Sequence, residues 1–131
     1  MSIAKMIAAH PDVGGKPNEP LARAVRHAMF CSAICTSCAD ACLAEKHVEH
    51  MRECIRTCLD SADVCAATSR LALRRTGGNE ILLEEMLQLC ITACDICAEE
   101  CERHDHEHCR LCAEMCRECA RDCRAALETF H

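Results

Sequence analysis

The sequence has no tryptophan and no tyrosine, and its only phenylalanines are Phe30 and Phe130. An ordinary core organised by aromatic packing is therefore excluded. Glycine and proline are scarce as well, four and three residues respectively, and strand signals are absent. No apolar run reaches the roughly 18 residues needed to cross a bilayer. There is no basic patch interleaved with aromatics, and the formal net charge is −6, which argues against nucleic acid as a partner. No Ser-His-Asp set, Gly-rich phosphate loop or dedicated acid and base pair is present, so no enzymatic role is expected. What the chain has in abundance is cysteine, 16 of 131 residues, above the roughly 8 to 10% that signals a cysteine-built architecture. Thiols, Ala, Leu and Ile must fill the core of one small domain spanning residues 1–131.

Cysteine-rich chains divide by compartment, with disulfides common in secreted proteins and metal or redox chemistry in cytosolic ones. Met1 to Ala9 carries Lys5 within a short apolar stretch and is followed by His10-Pro11-Asp12. It has neither the long apolar centre nor the cleavage site of a secretory signal. The expected location is the cytoplasm, where thiols stay reduced.

Residues 1–19 read as an N-terminal extension, with a short helix and then an irregular lead-in holding all three prolines. Residues 20–129 read as the helical body. Breaker-free segments predict helices over Leu21 to Ala44, His47 to Arg75, Glu80 to Arg103, and from the His104–His108 corner to Thr129. Asn18 and Glu19 suit the first helix start, Thr76-Gly77-Gly78-Asn79 supplies a glycine C-cap and the next N-cap, and Asp105 is expected to cap the last helix. The fold class is all-α, an antiparallel up-down-up-down four-helix bundle with a cysteine-lined core and a short N-terminal extension.

The cysteines fall at alternating steps of 3 and 4. Cys31, Cys35, Cys38 and Cys42 are matched in spacing by Cys90, Cys94, Cys97 and Cys101. Cys109, Cys112, Cys116, Cys119 and Cys123 extend the pattern, while Cys54, Cys58 and Cys65 have Ser61 where another cysteine is expected. The chain reads as a duplicated helical hairpin. Such spacing places each set as one stripe on one helix face, at the inward positions of a bundle. A single buried cysteine is usually just a small hydrophobe, but four aligned stripes ask for more than packing. Disulfides within a stripe are disfavoured, because i,i+3 and i,i+4 Cβ atoms stand about 5 to 6 Å apart against the roughly 3.5 to 4.5 Å that a disulfide needs.

Thiolates select Cu(I), Zn(II) or iron-sulfur clusters. Four thiolates on one zinc leave two net negative charges per site, and repeating that charge along a buried core is costly. Iron-sulfur clusters collect their cysteines from tight loops in spacings not found here. One Cu(I) per thiolate is self-neutralising, so multiple Cu(I) ions per chain are the expected cargo. The rivals are a thiol redox or iron-sulfur electron-transfer protein and a general metal buffer resembling metallothionein in role.

These stripes, the Cys-Ala-Asp-Ala-Cys run from Cys38 to Cys42 and the His-rich third corner resemble the bacterial copper storage proteins over roughly residues 21 to 128. The resemblance implies a four-helix bundle that stores Cu(I) in the cytosol without catalysing a reaction, and that associates as a homotetramer. Ser61 then marks a locally sparser stretch of the metal chain.

The two ends of the predicted bundle differ. One gathers His47, His50, His104, His106 and His108 with Met51, and the other Leu71, Leu73, Ile81, Leu82, Leu83, Met86, Leu87, Leu127 and Phe130. His104 and His108 continue the Cys101 stripe and His50 lies four residues before Cys54, so these three are expected to pass ions in and out. Met51 adds a soft thioether. His27, four residues before Cys31, is a candidate terminal ligand toward the apolar end, whereas His10, His106 and His131 read as solvated residues. Glu114, Arg117, Glu118, Arg121 and Arg124 read as a solvated face with local ion pairs. A second apolar row, Leu82, Met86, Leu89, Ala93 and Ile96, is expected in part to flank the core and in part to form an oligomer contact.

Overall fold

A computed structural model describes residues 2–74 and 78–130. The elements are α1 (Ile3–Ala8), α2 (Glu19–Leu43), a 3-10 turn (Val48–Met51), α3 (Arg52–Ala72), α4 (Glu80–Cys101) and α5 (Glu107–Glu128). Among the described residues there is no strand, and no helix is long and apolar enough to cross a membrane. Helix α2 packs on α3 and α5, and α4 packs on the same two. The ring is the four-helix bundle predicted from the breaker pattern.

Local chemistry explains most helix ends. The Asn18 side chain accepts from the Leu21 N–H at 3.1 Å, and Pro20 occupies the first turn, where its missing N–H costs nothing. Helix α5 begins after His106, whose side chain makes no capping bond, so the expectation for Asp105 is corrected. Asn79 occupies the N-cap position of α4, but its side chain donates to the Arg74 carbonyl at 2.7 Å instead of capping. Helix α3 ends at Ala72 with Leu73 as a right-handed C-cap, before the expected glycines. Arg75, Thr76 and Gly77 lie outside the described residues. The second predicted helix also starts late, because residues 48–51 take the tighter 3-10 form.

All 16 cysteines are buried, flanked by Ala24, Ala28, Ala62, Ala98, Ala113, Ala120 and Ala126 in the core. These short side chains fill the space between the helices with thiols and methyl groups, as the lack of aromatics requires. At one end the corner after α2 meets the corner before α5, where Glu45 lies 2.7 Å from His108 and 3.4 Å from His106. At the other end Leu83 and Leu87 are buried, and Leu71, Leu73, Leu127 and Phe130 pack against the core. Ile81 and Leu82, expected to help seal that end, are 76% and 50% exposed, because they precede the inward-facing Leu83 in the first turn of α4. Helix α1, with Ile7 buried, lies against α2, and Asn18 Nδ2 donates to Thr129 Oγ1 at 2.8 Å across the same end.

Candidate metal centre

The cysteine stripes converge into layers of sulfur stacked along the bundle axis. Cys31, Cys65, Cys94 and Cys119 contribute one sulfur from each of α2 to α5, and all four lie within 4.8 Å of one another. Cys38, Cys58, Cys101 and Cys112 form a second such four-helix layer. Between them, Cys35, Cys97, Cys112 and Cys116 form a layer without an α3 member, and it is there that Ser61 faces the tube, 3.5 Å from Cys35 Sγ and 3.9 Å from Cys116 Sγ. Cys38, Cys42, Cys54 and Cys109 form the layer nearest the histidines, and Cys90, Cys119 and Cys123 the layer toward the apolar end. Cys38 and Cys112 link the three layers toward the histidines and Cys119 links the two toward the apolar end, and Cys31 Sγ, 3.7 Å from Cys116 Sγ, joins the two sets into one ladder.

The sulfur separations suit a bridging ion. Neighbouring Sγ atoms lie 3.5 Å (Cys35 to Cys116), 3.6 Å (Cys65 to Cys94), 3.7 Å (Cys31 to Cys116) and 3.8 Å (Cys42 to Cys54) apart. A disulfide bond needs about 2.05 Å, and all 16 cysteines are free thiols. For a metal–thiolate bond of about 2.3 Å, two sulfurs on one ion stand about 4.0 Å apart in trigonal and about 4.6 Å apart in linear coordination. Trigonal coordination therefore needs the quoted sulfur pairs to part by only a few tenths of an ångström, and linear coordination by about 1 Å.

The thiols are electrostatically unequal. Burial disfavours the thiolate, and it pushes Cys42 and Cys109 up. Where neighbours donate S–H groups, the thiolate gains. Bonds from Cys112, Cys116 and Cys31 lower Cys35 to about 5, bonds led by Cys119 lower Cys90 to about 5, and bonds led by Cys101 lower Cys54 to about 7. The donors are pushed the other way, Cys112 through its bond to Cys101 foremost and Cys119 through its bond to Cys123. A cation that takes a buried thiol as its ligand displaces the thiol proton, so loading releases protons.

The predicted entry residues separate into distinct positions. His108 Nδ1 lies 3.3 Å from Cys38 Sγ and 3.6 Å from Cys109 Sγ, at the edge of the outermost layer. Burial pulls the His108 pKa down, but hydrogen bonds to Cys38 and Glu45 outweigh it and leave it raised. His104 does not continue the sulfur stripe. Helix α4 ends at Cys101, and the His104 ring turns back to Glu100, with Nε2 to carboxylate 2.8 Å. His50 is exposed in the 3-10 turn and stacks on His47 with ring centroids 5.7 Å apart. Its four-residue register with Cys54 assumed a continuous α-helix, and the tighter turn removes it. Met51 is 2% exposed and belongs to the core cluster that contains the cysteines. His27 sits on the α2–α5 seam against Asp122 and 3.4 Å from Glu118, so its ring is held by carboxylates outside the ladder. His106 stacks parallel on His108, with centroids 5.4 Å apart.

Two carboxylates at this mouth escaped the sequence reading. Glu100, only 7% exposed, holds both Arg103 and His104, and its position four residues before His104 was the available signal. Glu45 reaches His108 from 63 residues away in the sequence, and no local pattern announces it. The charged face of α5 also differs from expectation, since Arg117 bridges Asp95 and Glu102 and Arg124 reaches Asp95. These pairs tie α5 to the α4 side of the bundle. The apolar row stays at the surface, with Leu82, Leu89 and Ile96 each about half exposed.

Fold and site together define a helical bundle whose core is a continuous reservoir of soft ligands for a thiophilic cation. Residues 17–128 match the copper storage protein family, and the chain belongs to that family. It is 42% identical to the Streptomyces lividans copper storage protein Ccsp loaded with ten copper equivalents, over 97% of this chain and 98% of that one, with a TM-score of 0.92. A cytosolic copper storage protein from the same organism, carrying five coppers, is 46% identical over 84% and 93% of the two chains, with a TM-score of 0.82. The metal-free copper storage protein 3 of Bacillus subtilis is 33% identical over 79% and 95%, with a TM-score of 0.69.

Proposed function

We propose that this chain stores Cu(I) in the cytosol, acting as one domain over residues 1–131. All 16 cysteines serve as thiolate ligands, and His108 serves as the transit ligand at the open end. The observation that carries this reading is the ladder of adjoining sulfur layers, which begins beside an imidazole and ends under hydrocarbon. Membership of a copper storage family and likeness to a cytosolic copper-loaded relative support the cargo and the compartment. Met51, buried at the histidine end, adds a soft donor, while His104 and His50 act at most as outer contacts for arriving ions.

Storage is the role assigned, because the layers repeat one ligand chemistry along the core. The redox alternative would require reversible disulfides or an iron-sulfur chromophore, and a general buffer would require similar affinity for zinc. Competition resolves these readings. Cu(I) should displace Zn(II) from the purified protein completely while its visible spectrum stays featureless. Retained zinc, or a visible iron-sulfur band in the protein as isolated, would refute the assignment. The row of Leu82, Leu89 and Ile96, spaced by seven on the outer side of α4, is where we place a subunit contact of the homotetramer that the family resemblance implies.

A further inference from the structure

The two nitrogens of His108 face different chemistry. Nδ1 looks toward Cys38 and Cys109, and Nε2 lies 2.7 Å from the Glu45 carboxylate. A neutral imidazole carries one N–H, and an ionised carboxylate only accepts. The contact at 2.7 Å therefore requires the proton on Nε2, which leaves the lone pair on Nδ1, the atom beside the sulfurs. Glu45 comes from the corner after α2 and His108 from the first turn of α5. The contact is thus a tertiary one, made as the two corners of the bundle meet. The parallel ring of His106, whose Nδ1 is 3.4 Å from the same carboxylate oxygen, covers one face of His108 and restricts its rotation.

We propose that Glu45 is a positioning residue for ion entry: its carboxylate fixes His108 in the Nε2–H tautomer and aims the Nδ1 lone pair at the first sulfur layer. Metal-binding histidines generally need such a partner on the distal nitrogen, and its loss typically costs about 10- to 100-fold in affinity or activity. Without Glu45 both tautomers are populated, and a share of the rings presents N–H where an arriving cation needs a lone pair. The inference rests on the reading of His108 as the entry ligand, and it assigns that residue's orientation to a side chain that itself binds no copper.

The test uses the metal-free full chain with 15N-labelled histidine, at about pH 8, above the ordinary histidine pKa of about 6.5. In the wild type His108 should show a protonated Nε2 and an unprotonated Nδ1. Glu45→Ala should give a mixture of tautomers and slow stopped-flow loading from a Cu(I) chelate by about tenfold, with helicity and final capacity unchanged. Glu45→Gln, whose amide oxygen still accepts, should restore the tautomer and most of the rate. An Nδ1–H or doubly protonated ring in the wild type, or an unaltered tautomer in Glu45→Ala, overturns the proposal. His108→Ala separates the two layers of inference. If it loads as fast as wild type, the entry reading itself fails; if it is slow while Glu45→Ala is not, only the role of Glu45 fails.

Discussion

His108 Nδ1 lies 3.3 Å from Cys38 Sγ, and Cys38 is a member of both of the sulfur layers nearest the open end. An ion leaving the imidazole therefore meets a thiolate already shared between two layers, so the handover from nitrogen to sulfur needs no large movement of either helix.

This geometry ranks the mouth histidines. His108→Ala should slow Cu(I) loading and chelator-driven release by about tenfold or more, by analogy with the loss of other metal-orienting groups. His104→Ala should have a smaller effect, because that ring is engaged by Glu100, and His50→Ala should have almost none. Stopped-flow loading of the three single variants checks the order. Equal slowing by all three would mean that the corners act as a diffuse histidine funnel.

The raised pKa of His108 gives a signed pH dependence. Its imidazolium has no lone pair, so the His108-dependent part of the loading rate should fall as pH drops through a midpoint above the ordinary value of about 6.5. In the metal-free protein the sign is opposite. A raised folded-state pKa contributes stability that is fully present below about pH 6.5 and is lost as pH rises through the folded value. Loading rates and melting temperatures measured against pH in wild type and His108→Ala give both differences. A midpoint below that of free histidine would contradict the assignment.

Ser61 is completely buried, with its Oγ 3.5 to 3.9 Å from the sulfurs of Cys35, Cys65, Cys94 and Cys116. A hydroxyl is a poor Cu(I) ligand in a site built from soft donors. Ser61→Cys should raise capacity by about one ion per chain at one ion per thiolate and change stability by less than about 1.5 kcal/mol, as near-isosteric core changes do. Anaerobic titration together with thermal melting checks this. Unchanged capacity would show that the middle layer is already saturated by its four thiolates.

The ladder was legible in the sequence because steps of 3 and 4 force one helix face, and 16 cysteines on four helices leave no room for a different core. The mouth was not legible to the same degree. The stripe rule extended α4 through His104 and α3 back through His50, but the first helix stops at Cys101 and the second gives way to a 3-10 turn. Beyond a helix end the period no longer fixes direction. His108 reaches the sulfurs from the first turn of α5, not by the expected continuation of the Cys101 stripe, which ends with α4. Glu45 was invisible because its contact depends on how two corners meet, and the docking of α1 on α2 because it too is tertiary. Ile81 and Leu82 show the converse error, since hydrophobicity alone did not say which side of α4's first turn they occupy.

The half-exposed row on α4 predicts an assembly effect. Replacing Leu82, Leu89 and Ile96 together by Glu should convert the expected tetramer to smaller species in light scattering, with copper capacity per chain unchanged. An unaltered mass would remove this face from the interface.

The central claim is that the sulfur ladder is a reservoir filled at about one cation per thiolate, because only that ratio neutralises a buried row of thiolates. Anaerobic titration with Cu(I) against a calibrated competing chelator measures it directly. The account predicts saturation near 16 ions per chain, one for each cysteine. Saturation near four ions, one for each group of four sulfurs, would contradict it and would make the layers separate tetrathiolate sites.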